Sequence, residues 1–219
     1  MTAEATELCH LFMMVSPGAP ERLALEAVGL RESFRREHPG QGTCNVCYCF
    51  ENAYLELLWV TDPQALRSAV IAPTGLSQRA AWRSGGASPF GVGLRRGQGG
   101  LTVPTWDFAP PYLPLGLTIP VARASDDLCQ PFVFLSPGGT RPDQWSDGRS
   151  GQRQQTAGLT DIAGAELTVA GVPAPDLTAL LAPAGIRLRQ GPAPALRITL
   201  TGPGSGRILD LPAFRWSEI

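Results

Sequence analysis

The sequence predicts an α+β protein built from two βαβββ units, with extra strands and loops between them. Three observations predict it. Residues 43–60, TCNVCYCFENAYLELLWV, read as two apolar strands joined at the polar break Glu51-Asn52-Ala53. The segment before them has the order strand, helix, strand, so the opening reads β-α-β-β-β. After residue 159 that order returns. The first unit with the helices that follow it occupies residues 1–88, connecting strands and a polar loop occupy 89–158, and the second unit occupies 159–219.

The first strand is residues 8–15, LCHLFMMV, an apolar run that stops at Ser16-Pro17-Gly18 and carries His10 near its start. Pro20 opens a helix over 21–28 that Gly29 ends. Residues 30–36 form the next strand, and 38–42 a loop before the hairpin. Thr61 and Gln64 make a capping box, which predicts a helix through residue 69. A further helical stretch, 74–83, carries Arg79 and Trp82. Strands follow at 90–94 and 130–135, separated by a proline-rich passage, 104–120, that holds Trp106 and Tyr112. Gly91 and Gly93 are not a dinucleotide fingerprint, because no helix follows and the third glycine is misplaced. Residues 137–158 are polar apart from Trp145 and read as a long loop, either a surface insertion or a lid over a pocket. The second unit has strands at 165–172, 186–189, 195–201 and 206–211, with a helix over 173–181 that ends near Gly185.

Composition excludes more chemistry than it suggests. The 219 residues are 43% hydrophobic and 17% charged with a net charge of -1, which describes an ordinary globular protein with no electrostatic case for nucleic acid or an anionic membrane. The apolar runs are too short to span a bilayer, and the acidic start Met1-Thr2-Ala3-Glu4 is unlike a signal peptide, so the expected location is the cytoplasm. Every basic side chain is arginine, and the absence of lysine removes Schiff-base enzymes and the Walker A loop. Only His10 and His38 are available, so a three-histidine zinc site within one chain is impossible. The five cysteines, Cys9, Cys44, Cys47, Cys49 and Cys129, read as reduced, buried thiols. On a strand, Cys44 points away from the face that carries Cys47 and Cys49, which argues against a metal motif.

Glu56 is the charge that demands an explanation. It sits among Tyr54, Leu55, Leu57, Leu58 and Trp59, and a carboxylate in so apolar a strand is costly to bury unless an arginine, a metal or a substrate pairs with it. Arg79, Arg83 and Arg197 are the arginine candidates. Aligning Gly29 with Gly185, 156 residues apart, sets His10 opposite Glu166 and the strand of Glu56 opposite that of Asp210. Symmetric packing of the two units then predicts a His/carboxylate set of His10, Glu56 and Asp210 suited to a divalent metal.

The segments LCHLFMMVSPGAPE, HPGQGT, FENAYLELLWVTDP and TGLSQRAAWRSGGASPFGVGLR together resemble the glyoxalase-like branch of the vicinal oxygen chelate superfamily. The resemblance covers residues 7–96 and continues more weakly through PFVFL and the PALRITLTGPGSGRILDL tail. It implies paired βαβββ modules that curl a mixed sheet into a cup, with His10 on the first-strand metal position and Glu56 on the last-strand glutamate. It also implies two classes of function. One is a divalent-metal-dependent lyase or isomerase (Zn, Ni, Mn or Fe) acting on a small carbonyl or oxygenated substrate, with Glu56 moving a proton; a ring-cleaving dioxygenase is a weaker variant, since His38 would have to supply a second histidine from a loop. The other is metal-free binding or sequestration of a small molecule. Arg79, Trp82, Trp106 and Tyr112 are the candidate substrate-binding residues, the aromatics because each has an apolar body and a polar edge. In the second unit the resemblance departs from the catalytic pattern, with Asp210 in place of glutamate and Glu166 or Ala165 in place of histidine or glutamine. One chain suffices to close the cup, so a monomer or a homodimer is expected.

Overall fold

The computed structural model describes residues 6–95, 100–203 and 205–217; the acidic start at residues 1–4 lies outside them. The opening follows the hydrophobic pattern. β1 (Glu7–Met14) is buried along almost its whole length, and α1 (Arg22–Ala27) packs Leu25 inward. The Glu21 carboxylate accepts hydrogen bonds from the Ser16 amide and hydroxyl at 2.9 and 2.7 Å, fixing the turn that enters the helix. β2 (Phe34–His38), β3 (Thr43–Cys49) and β4 (Tyr54–Val60) complete the first unit. The β2 strand starts four residues later than expected, because Leu30 is spent in the core and the Arg31 amide and carbonyl bond the Gln154 side chain.

The helix expected after Thr61 is a single 3-10 turn at Ala65–Arg67. Thr61 and Asp62 donate their amides to the Gly42 carbonyl, and it is the Asp62 carboxylate that accepts from the amides of Gln64 and Ala65. α2 (Leu76–Ala80) and α3 (Trp82–Gly85) are short and separated by a break at Ala81. β5 (Phe90–Arg95), β6 (Thr105–Phe108), β7 (Ile119–Ala122) and β8 (Phe132–Leu135) follow.

These eight strands form one mixed sheet in the order β2-β3-β4-β1-β5-β8-β7-β6. Its halves are wired alike. β1 pairs in parallel with β4, β5 pairs in parallel with β8, and β1 and β5 meet antiparallel at the centre. The element that repeats the pairing of β1–β4 is therefore β5–β8, although no helix separates β5 from β6 among the described residues.

The expected pairing of the first unit with residues 159–219 is not what the chain adopts. β9 (Asp161–Val169), α4 (Pro175–Leu181), β10 (Ile186–Gln190), β11 (Ala195–Gly202) and β12 (Ser205–Leu211) do repeat the linear order β-α-β-β-β. With β13 (Arg215–Ser217), however, they form a separate sheet in the order β10-β9-β11-β12-β13. β9 lies inside that sheet, between β10 and β11, whereas β1 pairs with the last strand of its unit.

Strand alternation divides the large sheet into two faces. Leu11 and Met13, Leu55 and Leu57, and Val92 and Leu94 point to one side and share a core with Leu177 and Leu181 of α4 and with Leu167 and Ile198 of the second sheet. Asn52 ties the layers together, its amide bridging both backbone groups of Ile162. On the other side, Phe12, Met14, Leu58, Phe132 and Phe134 form a second cluster. The sheet curls around that side. His38 on edge strand β2 and Tyr112 in the β6–β7 connection belong to opposite ends of the strand order, yet their rings lie 5.0 Å apart.

The central pair β1/β5 accommodates large rings through glycine. His10 faces Gly93 and Phe12 faces Gly91 in register, and a Cβ at either glycine would overlap the ring opposite. The alternation Phe-Gly-Val-Gly-Leu is thus a packing pattern, with the side chains of one face removed to admit the rings of β1. Gly93→Ala should cost about 1–3 kcal/mol in denaturant unfolding, the usual cost of overpacking. The double variant His10→Ala/Gly93→Ala should lose less than the sum of the two single changes, because the clash is then gone.

Candidate functional site

On the cupped face, every strand of the first unit contributes side chains at two-residue spacing. β2 presents Phe34, Arg36 and His38; β3 presents Thr43, Asn45 and Cys47 opposite them; β4 presents Tyr54, Glu56 and Leu58. With His10 and Phe12 of β1 and Phe132 and Phe134 of β8, many of these line a cavity of about 230 Å³. Tyr112 closes one side. Trp145 and Arg149 close another, so the polar segment 137–158 covers the cup instead of standing out as a surface insertion. Trp145 makes edge contacts with Phe34 and Tyr54 at 5.9 and 5.8 Å. The fully buried Gln154 anchors the end of the segment to Arg31 and to the Cys49 carbonyl.

His10 and Glu56 meet on the floor. They are 5% and 6% exposed, and the approach of His10 Nε2 to Glu56 Oε2 is 3.6 Å, longer than a hydrogen bond. The His10 ring stacks on Tyr54 at 4.5 Å and meets the edge of Phe134 at 5.3 Å, and these contacts hold its plane. Asn45 Nδ2 donates to Glu56 Oε1 at 2.7 Å. His10 Nδ1 and Asn45 Oδ1 are buried without a protein partner.

Burial governs the charge states. Desolvation raises Glu56 from 4.5 to about 7, against the opposing effects of the Asn45 hydrogen bond and of Arg36. Desolvation, with Arg95 and His38 nearby, lowers His10 to about 3, and desolvation with Arg36 lowers His38 to about 4. The His10–Glu56 contact at neutral pH is therefore between an uncharged imidazole and a carboxyl poised between its two forms. Such a carboxyl donates or accepts a hydrogen bond as the occasion requires.

Of the candidate ligand and substrate-binding residues, the fold brings His10, His38, Glu56 and Tyr112 to one cavity, and Asp210, Arg79, Trp82 and Trp106 lie elsewhere. Asp210 lies on β12 of the other sheet, where Arg197 Nε donates to it at 2.9 Å; Glu166 likewise pairs with Arg189 on the second sheet at 2.7 Å. Neither reaches the cup, so the expected His10/Glu56/Asp210 set is not assembled. Arg79 is fully buried and donates to the backbone carbonyls of Ser88, Gln130 and Ser125 at 2.8–3.1 Å, bracing the connections around β5 and β8. Trp82 stands outside the cavity wall with Arg83 over its ring at 4.6 Å, and Trp106 donates to Asp126 at 3.1 Å away from the cup.

The sequence reading missed Asn45, Arg36, Tyr54, Phe34 and Arg149. Period-two alternation from Glu56 carries a signal for Tyr54, and hairpin pairing carries one for Asn45. Nothing local marks Arg149. His38 ends β2 and faces the cavity, where its Nδ1 lies 3.0 Å from Thr43 Oγ1; it is not on a loop. The cysteines are all free, and burial raises the thiols of Cys9, Cys44, Cys47 and Cys49.

Among the described residues, no group of three or more His, Cys, Asp or Glu side chains is placed to hold a metal ion. The cup-facing positions on β5 and β8 are Gly91, Gly93, Phe132 and Phe134, so these two strands offer no side-chain donors to the pair on the first half.

The chain is thus a mixed α+β protein, with strands in two mixed sheets and few, short helices among the described residues, whose larger sheet lines a cavity. No family model and no curated protein matches it in sequence. Among solved structures it is similar in fold to a hypothetical protein from Staphylococcus aureus, with a TM-score of 0.52 and 10% identity, over 86% of this chain and 87% of that one. No helix among the described residues is long and apolar enough to cross a membrane.

The raised carboxyl sets a pH dependence. Between pH 4.5 and about 7 the folded protein holds a proton on Glu56 that the unfolded chain has released, so this residue's contribution to stability falls as pH rises through that window. His10 and His38 act in the opposite sense at lower pH: the unfolded chain takes up protons that the folded protein refuses, and their contribution grows as pH rises from about 3–4 toward 6.5. Comparing Glu56→Gln with wild type isolates the carboxyl. The stability of the variant relative to wild type should increase by roughly 2–3 kcal/mol between pH 5 and pH 8.5 in urea titrations. A second expectation concerns Arg79. Replacing it with Met leaves three buried carbonyls without a donor and should lower stability by about 3–5 kcal/mol, with no pH dependence of that kind.

Proposed function

We propose that this protein binds a small organic molecule in the cup, as a metal-free member of the vicinal oxygen chelate type, with His10 and Glu56 as the polar anchor of the ligand. The observation that carries this reading is the pair itself: two buried ionisable side chains, 3.6 Å apart, on the floor of a cavity lined by both aromatic and polar side chains. Perturbed ionisable groups in a concave apolar site are where ligands and proton transfers are handled. The likeness of β5–β8 to β1–β4, joined antiparallel at β1/β5, supports the paired-module reading of the sheet.

A resident divalent metal fits this donor set poorly. An ion at His10 and Glu56 would find two protein donors, one of them already engaged by Asn45, and glycine and phenylalanine on the opposite strands. The chemistry left to the chain is to orient a ligand between Tyr54, Phe134 and Trp145 and to exchange a hydrogen bond or a proton at the Glu56 carboxyl. His10 Nδ1 and Asn45 Oδ1 are further polar atoms without protein partners.

Two measurements test the proposal together. Untagged protein dialysed against mixed Zn, Ni, Mn and Fe ions should retain far less than one equivalent of metal, and His10→Ala should not change that. Thermal-shift screening should find small-molecule ligands whose stabilisation falls in Glu56→Gln. Near-stoichiometric metal lost in His10→Ala would replace this reading with the metal-dependent lyase or isomerase. Ligands insensitive to Glu56→Gln would show that the pair is not the anchor.

A further inference from the structure

Resting on the reading of the cup as a ligand site, we propose that its ligand class is organic anions: a small carboxylate with a planar apolar body, its charge held by Arg36 and Arg149 at the mouth and its far end on the His10–Glu56 floor. The charge of the cavity lining is set by Arg36, Arg149, the two histidines and Glu56. With both imidazoles uncharged at neutral pH and Glu56 only partly ionised, the lining carries net positive charge.

Both guanidinium groups line the cavity, Arg36 from edge strand β2 and Arg149 from the covering segment. Phe34 and Arg36 are two residues apart on β2 and therefore project from one face. Arg149 reaches across from the covering segment to lie over the Phe34 ring at 5.8 Å and the Trp145 ring at 3.9 Å. Arg36 rests over the Tyr112 ring at 5.3 Å and forms no ion pair among the described residues. Among the described residues the ion-pair partner of Arg149 is the exposed Asp147, at 3.3 Å. Stacked guanidinium groups keep their N–H edges available, and a carboxylate accepts from such edges in bidentate fashion.

The same contacts disfavour a cationic ligand. A group of aromatic rings such as Phe34, Tyr112 and Trp145 is suited to a cation, but here the ring faces are already covered by the protein's own arginines. A second cation would meet two like charges. An anion meets the exposed Asp147 beside Arg149 and, once it ionises, Glu56; at the floor the uncharged imidazole and the Asn45 amide suit a hydroxyl or carbonyl.

Three probes of one shape separate the possibilities: 2-naphthoate, neutral 2-naphthamide and cationic 2-naphthylmethylammonium, measured by titration calorimetry at pH 7 in low salt. Wild type should bind the carboxylate about tenfold more tightly than the amide, the order that a charge-assisted hydrogen bond contributes, and the ammonium more weakly still. Arg36→Gln and Arg149→Gln replace exposed side chains, so both should fold normally. Each should weaken the carboxylate by about tenfold and leave the amide within about twofold. Equal binding of amide and carboxylate, preference for the ammonium, or indifference of the carboxylate to both substitutions would overturn the anion assignment while leaving the cup a binding site. Failure of all three probes to bind wild type would overturn the assignment and the binding reading together.

Discussion

The burial of one carboxyl sets the terms for this structure. Glu56 lies within an eight-stranded sheet, where among the described residues only the Asn45 amide donates a hydrogen bond to it, with the uncharged His10 ring beside it. A buried carboxylate without a cation loses solvation that one neutral hydrogen bond does not restore, so the group shifts toward its protonated form. Had Arg79 reached it, as the sequence allows, the pair would be an ordinary buried ion pair. Arg79 is instead committed to three backbone carbonyls, and the cup keeps a carboxyl free to respond to what enters it.

The remainder of the fold keeps that arrangement in place. Gly91 and Gly93 vacate the space that the rings of Phe12 and His10 occupy, and Tyr54 and Phe134 fix the imidazole plane. Behind the sheet, α4 and the second sheet bury the apolar face of the central strands, and Asn52 joins the layers through both backbone groups of Ile162. In front, Trp145 and Arg149 narrow the cavity mouth. A polar, glycine-rich segment can do this because it is tied down at one buried residue, Gln154, whose amide satisfies three backbone groups.

What the sequence conveyed and what it withheld follow from the range of each signal. Strands β1, β3 and β4 were legible because apolar alternation is local, and His10 and Glu56 stood out as polar residues in apolar strands. Partner assignment was not legible. The linear order β-α-β-β-β occurs twice, but β9 pairs with β10 and β11 where β1 pairs with β4 and β5, and no residue-level pattern distinguishes these before the chain folds. That single ambiguity moved Asp210 into the expected site and hid β5–β8 as the facing half. Arg79, Trp82 and Trp106 were misplaced for a related reason: an arginine or tryptophan in a connecting segment carries no mark of the side on which it will be buried. Thr61 illustrates competition at short range, since its amide goes to Gly42 and the neighbouring Asp62 takes the capping role.

The protonation state of Glu56 in the folded protein is measured directly by carbon-detected NMR of the glutamate side-chain carboxyls, with Glu56→Gln assigning the resonance. A titration midpoint near pH 7, well separated from the exposed glutamates, is the predicted result. A midpoint at or below the ordinary value of 4.5 would show that Glu56 is held as a carboxylate by a cation, and would contradict the uncharged floor on which the reading of this cup depends.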